Sequence, residues 1–287
     1  MFQNQRKLAP ICATLTTLLM VVAGTVAVVD SSAVPQVGTN LGLTQGTLDT
    51  SGVNPVIVNV VNFTITSTSS GSSGTFSVAS GDALVVFVEM YGATTVTEVA
   101  SSEGSGTCTQ ESYALQHANG GDHGFAIWVC RNVESGSATN VSVTLSSGSS
   151  DSAAVEIVDV NGGTTAPFVD QVGVIDHSDS RAVSRNLTVN ADDLVLAGIG
   201  TWSQNTITPA SGVQLLGEIT SRPIDSAASV TAGALAHEDR SSTPVNIWMN
   251  ATLAKSAPAL EGIITLGAAN KMTPYPVTFS ETGLPYG

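Results

Sequence analysis

Charge is scarce in this chain of 287 residues: only 11% of them are charged, against about a quarter in an average soluble domain. Nine Lys and Arg stand against 23 Asp and Glu, which gives a formal net charge of −14. Such a surface repels phosphate backbones, so the composition excludes nucleic acid as a partner. It also predicts acid tolerance, because few bases remain to repel one another once carboxylates are protonated. A generic secreted Ser/Thr-rich domain is the alternative interpretation.

Cysteine is equally scarce, with three in the chain. Cys12 lies in an apolar N-terminal stretch, which leaves Cys108 and Cys130 as an even pair. An even pair in an exported β-protein predicts a disulfide, and two buried free thiols are the alternative. A bridge that closes a loop of about 20 residues would stabilise the fold by about 3 kcal/mol in the chain-entropy model.

Motifs that carry chemistry are also lacking. No Gly-x-Ser-x-Gly elbow occurs, and none of the four histidines stands in a zinc-binding spacing. We therefore predict no catalytic residue, no cofactor and no metal site. The acidic groups at residues 176–179 and 237–239 have side chains suited to calcium, but solvated loops are the favoured interpretation. Glu156, Asp159 and Asp170 are the weak candidates for a glycosidase pair.

Aromatic residues make up only 5% of the chain, and three are tryptophans. Trp128 stands inside an apolar strand pattern and is predicted to be core. Trp202 follows Gly200 and Thr201 in a predicted loop, so it is the candidate for stacking on a sugar ring. Trp248 lies in an alternating pattern and could face either side of its strand.

Long apolar runs occur once, at residues 8–29, which carry no charge and are long enough to cross a bilayer. Three interpretations stay open: a helix retained in a filament, a plain membrane anchor, and a cleaved signal peptide. All three export the remainder of the chain. We divide it into residues 1–33 (leader and apolar helix), 34–55 (linker), 56–269 (β-domain) and 270–287 (linker and start of a further β segment).

No convincing helical period follows Asp30, and β patterns fill the rest. Short runs of Val, Ile, Thr and Phe recur about every ten residues between Gly, Ser and Asn turns, which predicts an antiparallel β-sandwich or jelly roll. A parallel β-helix is the rival, but no fixed repeat supports it. Four Asn-x-Ser/Thr sequons are candidate glycosylation sites in an exported chain: Asn62, Asn140, Asn186 and Asn250.

Three stretches resemble known families. Residues 6–15, RKLAPICATL, are similar to the N-terminus of archaeal type IV pilin-like proteins, in which a basic leader is removed and the apolar helix packs into a filament core. Ala9 and Cys12 depart from that pattern. GDALVVFV, TVTEV, AIWV and ADDLVLA, between residues 75 and 266, resemble a widespread secreted β-sandwich family without an agreed activity. Residues 275–285, YPVTFSETGLP, resemble a repeat of archaeal surface proteins, including thermopsin-like ones.

The sequence thus predicts an extracellular archaeal surface or filament protein with a structural or adhesive role and no catalytic activity. The alternative is a carbohydrate-binding β-sandwich module of a larger secreted protein. The expected partners are copies of itself or other surface proteins, carbohydrate, and a membrane that the N-terminal helix would enter. In the filament hypothesis, residues 276–279 would add a strand to a neighbour's sheet edge.

Overall fold

A computed structural model describes residues 19–22, 25–28, 44–47, 54–92, 95–102, 107–118, 121–146, 152–162, 167–221, 229–237 and 243–267. Every regular element in these ranges is a β-strand. The chain divides into two compact units, Met1–Ser51 with Asn270–Gly287, and Gly52–Ala269. The prediction of an all-β, antiparallel domain is therefore confirmed.

The first unit contains one three-stranded antiparallel sheet, in the order β1 (Leu19–Val22), β2 (Thr25–Val28) and β3 (Thr44–Thr47). β1 and β2 fall within residues 8–29, for which the sequence predicts an apolar helix. The described positions are strand, and Val-rich segments suit a strand as well as an apolar helix. The remaining residues of that stretch, and residues 270–287, lie outside the described part of the chain. Among the described residues, no helix has the length and apolarity to cross a bilayer.

The second unit holds the other sixteen described strands. They are β4 (Val56–Thr66), β5 (Ser70–Ser72), β6 (Phe76–Val78), β7 (Asp82–Tyr91), β8 (Val96–Ser101), β9 (Thr107–Ala118), β10 (Gly121–Val133), β11 (Gly136–Thr139), β12 (Val141–Leu145), β13 (Ser152–Asn161), β14 (Phe168–Val189), β15 (Leu194–Thr201), β16 (Ile207–Pro209), β17 (Val213–Ser221), β18 (Val230–His237) and β19 (Val245–Gly267).

Two large sheets form the centre of this unit. One has five strands in the order β4-β13-β7-β10-β9, and the other has six, in the order β14-β19-β15-β18-β17 with β16 on β19. A core between them contains Phe87 and Phe125 from the first sheet and Leu196, Leu260 and Ile264 from the second. The edges also meet, since β4 contacts β17 and β9 contacts β14.

Each central sheet is also covered on its other face. Against the five-stranded sheet lie two small ones, β5-β12-β8 and β11-β6, which share a core with it. Against the six-stranded sheet lies its own extension, because β14 and β19 are long enough to fold back over it. The unit is therefore a four-layer stack. Two-sided burial explains why β7, β13 and β15 are apolar almost throughout instead of alternating.

The fold-back consists of residues 182–189 of β14 and 245–252 of β19, which we call the ribbon. The sequence pattern indicates four separate strands here, at 168–176, 182–189, 245–253 and 260–266. The structure corrects this to two long strands, because pairing continues past irregularities of register around Ser180. Irregularities of this kind bend a strand without ending it. The ribbon buries Val183, Ile247 and Met249 against the sheet beneath.

Candidate functional site

The predicted disulfide is present. Cys108 on β9 and Cys130 on β10 are directly paired across the ladder, with their Cα atoms 3.8 Å apart. Cys130 is fully buried in the core under the small sheets. The bridge therefore ties the edge strand β9 to its neighbour β10.

Trp202 lies at the end of β15, where the two central sheets terminate together. Its ring is half-buried, 5.5 Å from the ring of His123 and 6.2 Å from that of Tyr91. It is therefore part of an aromatic group at one end of the stack rather than an isolated loop residue. Its stacking on a sugar stays a prediction.

Beneath Trp202 runs a chain of hydrogen bonds that the sequence does not reveal. Gln116 donates from Nε2 to Asp176 Oδ1, which leaves its Oε1 facing Nε2 of the His123 ring. The other ring nitrogen, Nδ1, lies 2.8 Å from Oε1 of Glu89. His123 thus links the Gln116 amide on one side of its ring to the Glu89 carboxyl on the other.

Glu89 is fully buried, and this burial raises its pKa from 4.5 to about 7 although His123 favours the ionised form. Its Oε2 atom has no hydrogen-bond partner among the described residues and lies against Gly200. A Cβ atom at position 200 would be 1.8 Å from that oxygen. The glycine of β15 thus makes room for a carboxyl group in the core.

Two more buried carboxyls lie on β13, on opposite faces. Glu156 faces β17, where its Oε2 atom fills the space beside Gly217, and Asn62 donates to its Oε1 atom at 3.5 Å. Burial above all, with the nearby Glu218 carboxylate, raises its pKa from 4.5 to about 8, although the Asn62 hydrogen bond lowers it. Asp159 faces the small sheets. The odd separation of the two along a strand prevents them from forming the glycosidase pair considered above.

Asp159 is buried close to Asp82, and its pKa is raised to about 8 by burial first and by the Asp82 charge second. Apart from this interaction with Asp82, neither carboxyl oxygen of Asp159 has a hydrogen-bond partner among the described residues. Asp82 accepts hydrogen bonds from Asn161 and from the backbone N–H of Ala79. The pair is thus a neutral acid beside a carboxyl group fixed by two donors.

A further buried acid, Glu261, lies under the ribbon. His177 Nε2 is 2.9 Å from its Oε2 atom, and Arg185 is close enough to favour the ionised form. Burial outweighs both and raises its pKa. Within the ranges that the structure describes, no three His, Cys, Asp or Glu side chains come together as a metal site would require.

The outward side of the ribbon is a polar face around one tryptophan. Trp248 is 54% exposed and lies directly opposite Asn186 on the neighbouring strand. Ser184 donates to Oδ1 of Asn250 at 2.6 Å, and Thr188 donates to Oδ1 of Asn246 at 2.5 Å. We call these six residues the polar face: Ser184, Asn186, Thr188, Asn246, Trp248 and Asn250.

The four sequons fall in different surroundings. Asn186 and Asn250 lie on the polar face, where Asn186 is exposed and Asn250 half-buried. Asn62 is exposed, with its amide hydrogen-bonded to Glu156, and Asn140 is half-buried before β12. Between the edge strands β4 and β17 there is also an open groove of about 360 Å³, lined by residues 57–60 and 214–216.

Comparisons of this chain with protein-family models, with curated proteins and with solved structures find no match. The class that its fold defines is a layered antiparallel all-β protein with a disulfide.

Proposed function

We propose that this chain is an extracellular, cell-surface or filament-associated protein with a structural and adhesive role and no catalytic activity. The observation that supports this best is the four-layer stack, in which both central sheets are covered on both faces. Separating any layer would expose a core of fully buried side chains to water. The free-energy cost of that exposure is about 25 cal/mol per Å² of apolar surface. Such construction suits a rigid module that holds a surface away from the cell.

The disulfide and the surface charge support export. A Cys108–Cys130 bridge forms and persists in oxidising compartments, and reducing compartments disfavour it. The small number of bases and the excess of acids keep the molecules apart in solution. Both features are compatible with an extracellular position.

The buried acids support a structural rather than a chemical role. Glu89, Glu156 and Asp159 lie inside the cores between layers, and their pKa values near 7 to 8 make them largely neutral below neutral pH. Neutral carboxyl groups can be packed between sheets at a much lower cost than carboxylates. An acidic exterior would therefore favour this fold.

The N-terminal residues would attach the protein to the cell. Residues 8–29 would enter either a membrane or a filament core, and the resemblance of residues 6–15 to archaeal type IV pilin-like proteins favours the filament. A cleaved signal peptide would leave a free secreted protein. Residues 34–55, which include β3, would connect the attachment to the β-domain.

Antibodies against residues 54–267 provide the test, through immunogold labelling of intact cells of the native host and mass spectrometry of the mature N-terminus. We expect gold on the outer surface or along filaments, and an N-terminus that retains the apolar stretch. Label confined to the cytoplasm would overturn the proposal. A mature chain starting at or after Val34 would remove the filament and the anchor but leave a secreted protein.

A carbohydrate-binding module remains the second candidate, with Trp202 as its predicted stacking residue. Tyr91 beside it and the Gln116–Asp176 pair below it supply the polar neighbours that sugar hydroxyls need. Replacing Trp202 by Ala would test this, with binding to immobilised glycans as the measurement. Unchanged binding would remove Trp202 from the candidate residues.

A further inference from the structure

The polar face has the composition of a carbohydrate-binding surface. A pyranose ring offers an apolar face of C–H groups and a rim of hydroxyls, so a site for it needs a flat aromatic ring beside planar amides and hydroxyls. Trp248 is the aromatic ring, and its 54% exposure leaves most of it open. Asn186, Asn246 and Asn250 are the amides, and Ser184 and Thr188 are the hydroxyls.

The amides are held in place before any ligand arrives. Asn250 and Asn246 each accept a hydrogen bond through Oδ1 from a residue on the neighbouring strand, which restrains both amide groups. Beneath the face, Ile247 and Met249 are buried and hold the backbone of β19 against the sheet. Side chains fixed in this way lose little conformational entropy on binding, so that even weak polar contacts with a ligand add to the affinity.

The dimensions fit a chain of sugars. Residues on one face of a strand recur about every 7 Å, so Asn246, Trp248 and Asn250 extend over about 14 Å. That length accommodates a short oligosaccharide with one ring on the tryptophan and its neighbours over the amides.

The charges of the protein favour a neutral ligand at the polar face. None of the six side chains of the polar face is ionisable, and a net charge of −14 repels an acidic polysaccharide. A second protein molecule is a poorer fit, because interface centres are rich in apolar residues and this face has one. Asn186 and Asn250 begin sequons, so the protein's own glycan is a rival occupant that the experiment must address.

We propose that the polar face of the ribbon binds a neutral polysaccharide, with Trp248 stacked on one ring and the flanking amides bonded to hydroxyls. This inference rests on the proposed adhesive role, and it names the chemical class to which the protein adheres.

The test uses the purified full chain in affinity gel electrophoresis through soluble dextran, mannan, laminarin and hydroxyethylcellulose, with alginate as an anionic control. We expect retardation by at least one neutral polymer and none by alginate. Trp248→Ala should weaken binding at least tenfold, as loss of a central tryptophan does, and Asn250→Ala should weaken it several-fold. Trp248→Phe should retain part of the affinity.

Val58→Ala is the matched control, because Val58 is an equally exposed apolar side chain, at 58%, on a different sheet edge. The Val58→Ala variant should bind polysaccharide as the wild type does. Unchanged thermal unfolding of Val58→Ala and Trp248→Ala would show that each is folded. Equal binding by Trp248→Ala and wild type would overturn the inference. So would retardation by no neutral polymer, equal retardation by alginate, or a glycan on Asn186 or Asn250 of the native protein.

Surface labelling of cells together with a failed gel assay would reject the sugar site and leave the structural role standing.

Discussion

Replacing Glu156 by Gln should stabilise the protein at neutral pH and change little in acid. Glu156 is fully buried on β13 with Oε2 against Gly217, and its pKa lies near 8 instead of 4.5. Folding at pH 7 therefore has to return a proton to a group that is ionised in the unfolded chain. A glutamine has nearly the same shape as the protonated acid and needs no proton.

The sign and size of the stability change follow from the linkage between proton binding and folding. A raised folded-state pKa means that the folded state binds more protons, so the stabilisation is complete below about pH 4.5 and is lost as the pH rises towards 8. At 1.36 kcal/mol per pH unit, neutralising Glu156 costs about 3 kcal/mol of stability at pH 7. The Glu156→Gln variant avoids this cost, which corresponds to a rise in Tm of about 6 to 12 °C for a chain of this size.

Urea unfolding of both full-length proteins, followed by tryptophan fluorescence from pH 4 to pH 8, is the measurement. Between pH 5 and pH 7 the wild-type stability should fall more steeply than that of Glu156→Gln, by about 1.4 kcal/mol per pH unit. Glu134→Gln removes one carboxylate from the exposed connection between β10 and β11 and controls for the change of net charge. Parallel profiles for wild type and Glu156→Gln would refute the reasoning, because Glu156 would then be ionised in the folded state.

Three other predictions concern the cores and the bridge. Gly200→Ala places a methyl group against Glu89 Oε2 and should destabilise by about 1 to 3 kcal/mol, whereas Gly74→Ala meets nothing within 4 Å and should be nearly neutral; equal Tm values would contradict this. The double variant Cys108→Ser, Cys130→Ser should lose about 2 to 4 kcal/mol of unfolding free energy. Peptide mapping that finds both cysteines as free thiols in the wild type would contradict this prediction. Circular dichroism should detect no cooperative unfolding between pH 5 and pH 3, since the buried acids need no charge there.

Local patterns in the sequence determine most of the strands. Residues 56–66 read as a long strand, and β4 has these bounds. The strict alternation of residues 141–145 predicts one wet face, and β12 buries every second side chain. The pairing of Cys108 with Cys130 also follows from the sequence, since the third cysteine lies in the apolar stretch. These features depend on neighbours along the chain or on a choice among very few residues.

Other features depend on which strands lie over one another, and local pattern does not contain that information. A Ser/Gly stretch at residues 67–74 reads as a turn, yet Ser70–Ser72 forms β5 because β12 offers it an edge. The burial of Glu89 and Glu156 is not visible in the strand pattern, because glycines on the facing sheet make the space for them in the core.

The two faces of Trp248's strand are equivalent in the sequence. Only the folding of the ribbon over the six-stranded sheet turns Ile247 and Met249 inward and leaves Trp248 in solvent. The sequence by itself therefore determined the class of fold, the disulfide and the low charge. The tertiary structure decided the number of layers, the burial of the acids and the exposure of one tryptophan, because each depends on contacts between strands far apart in the chain.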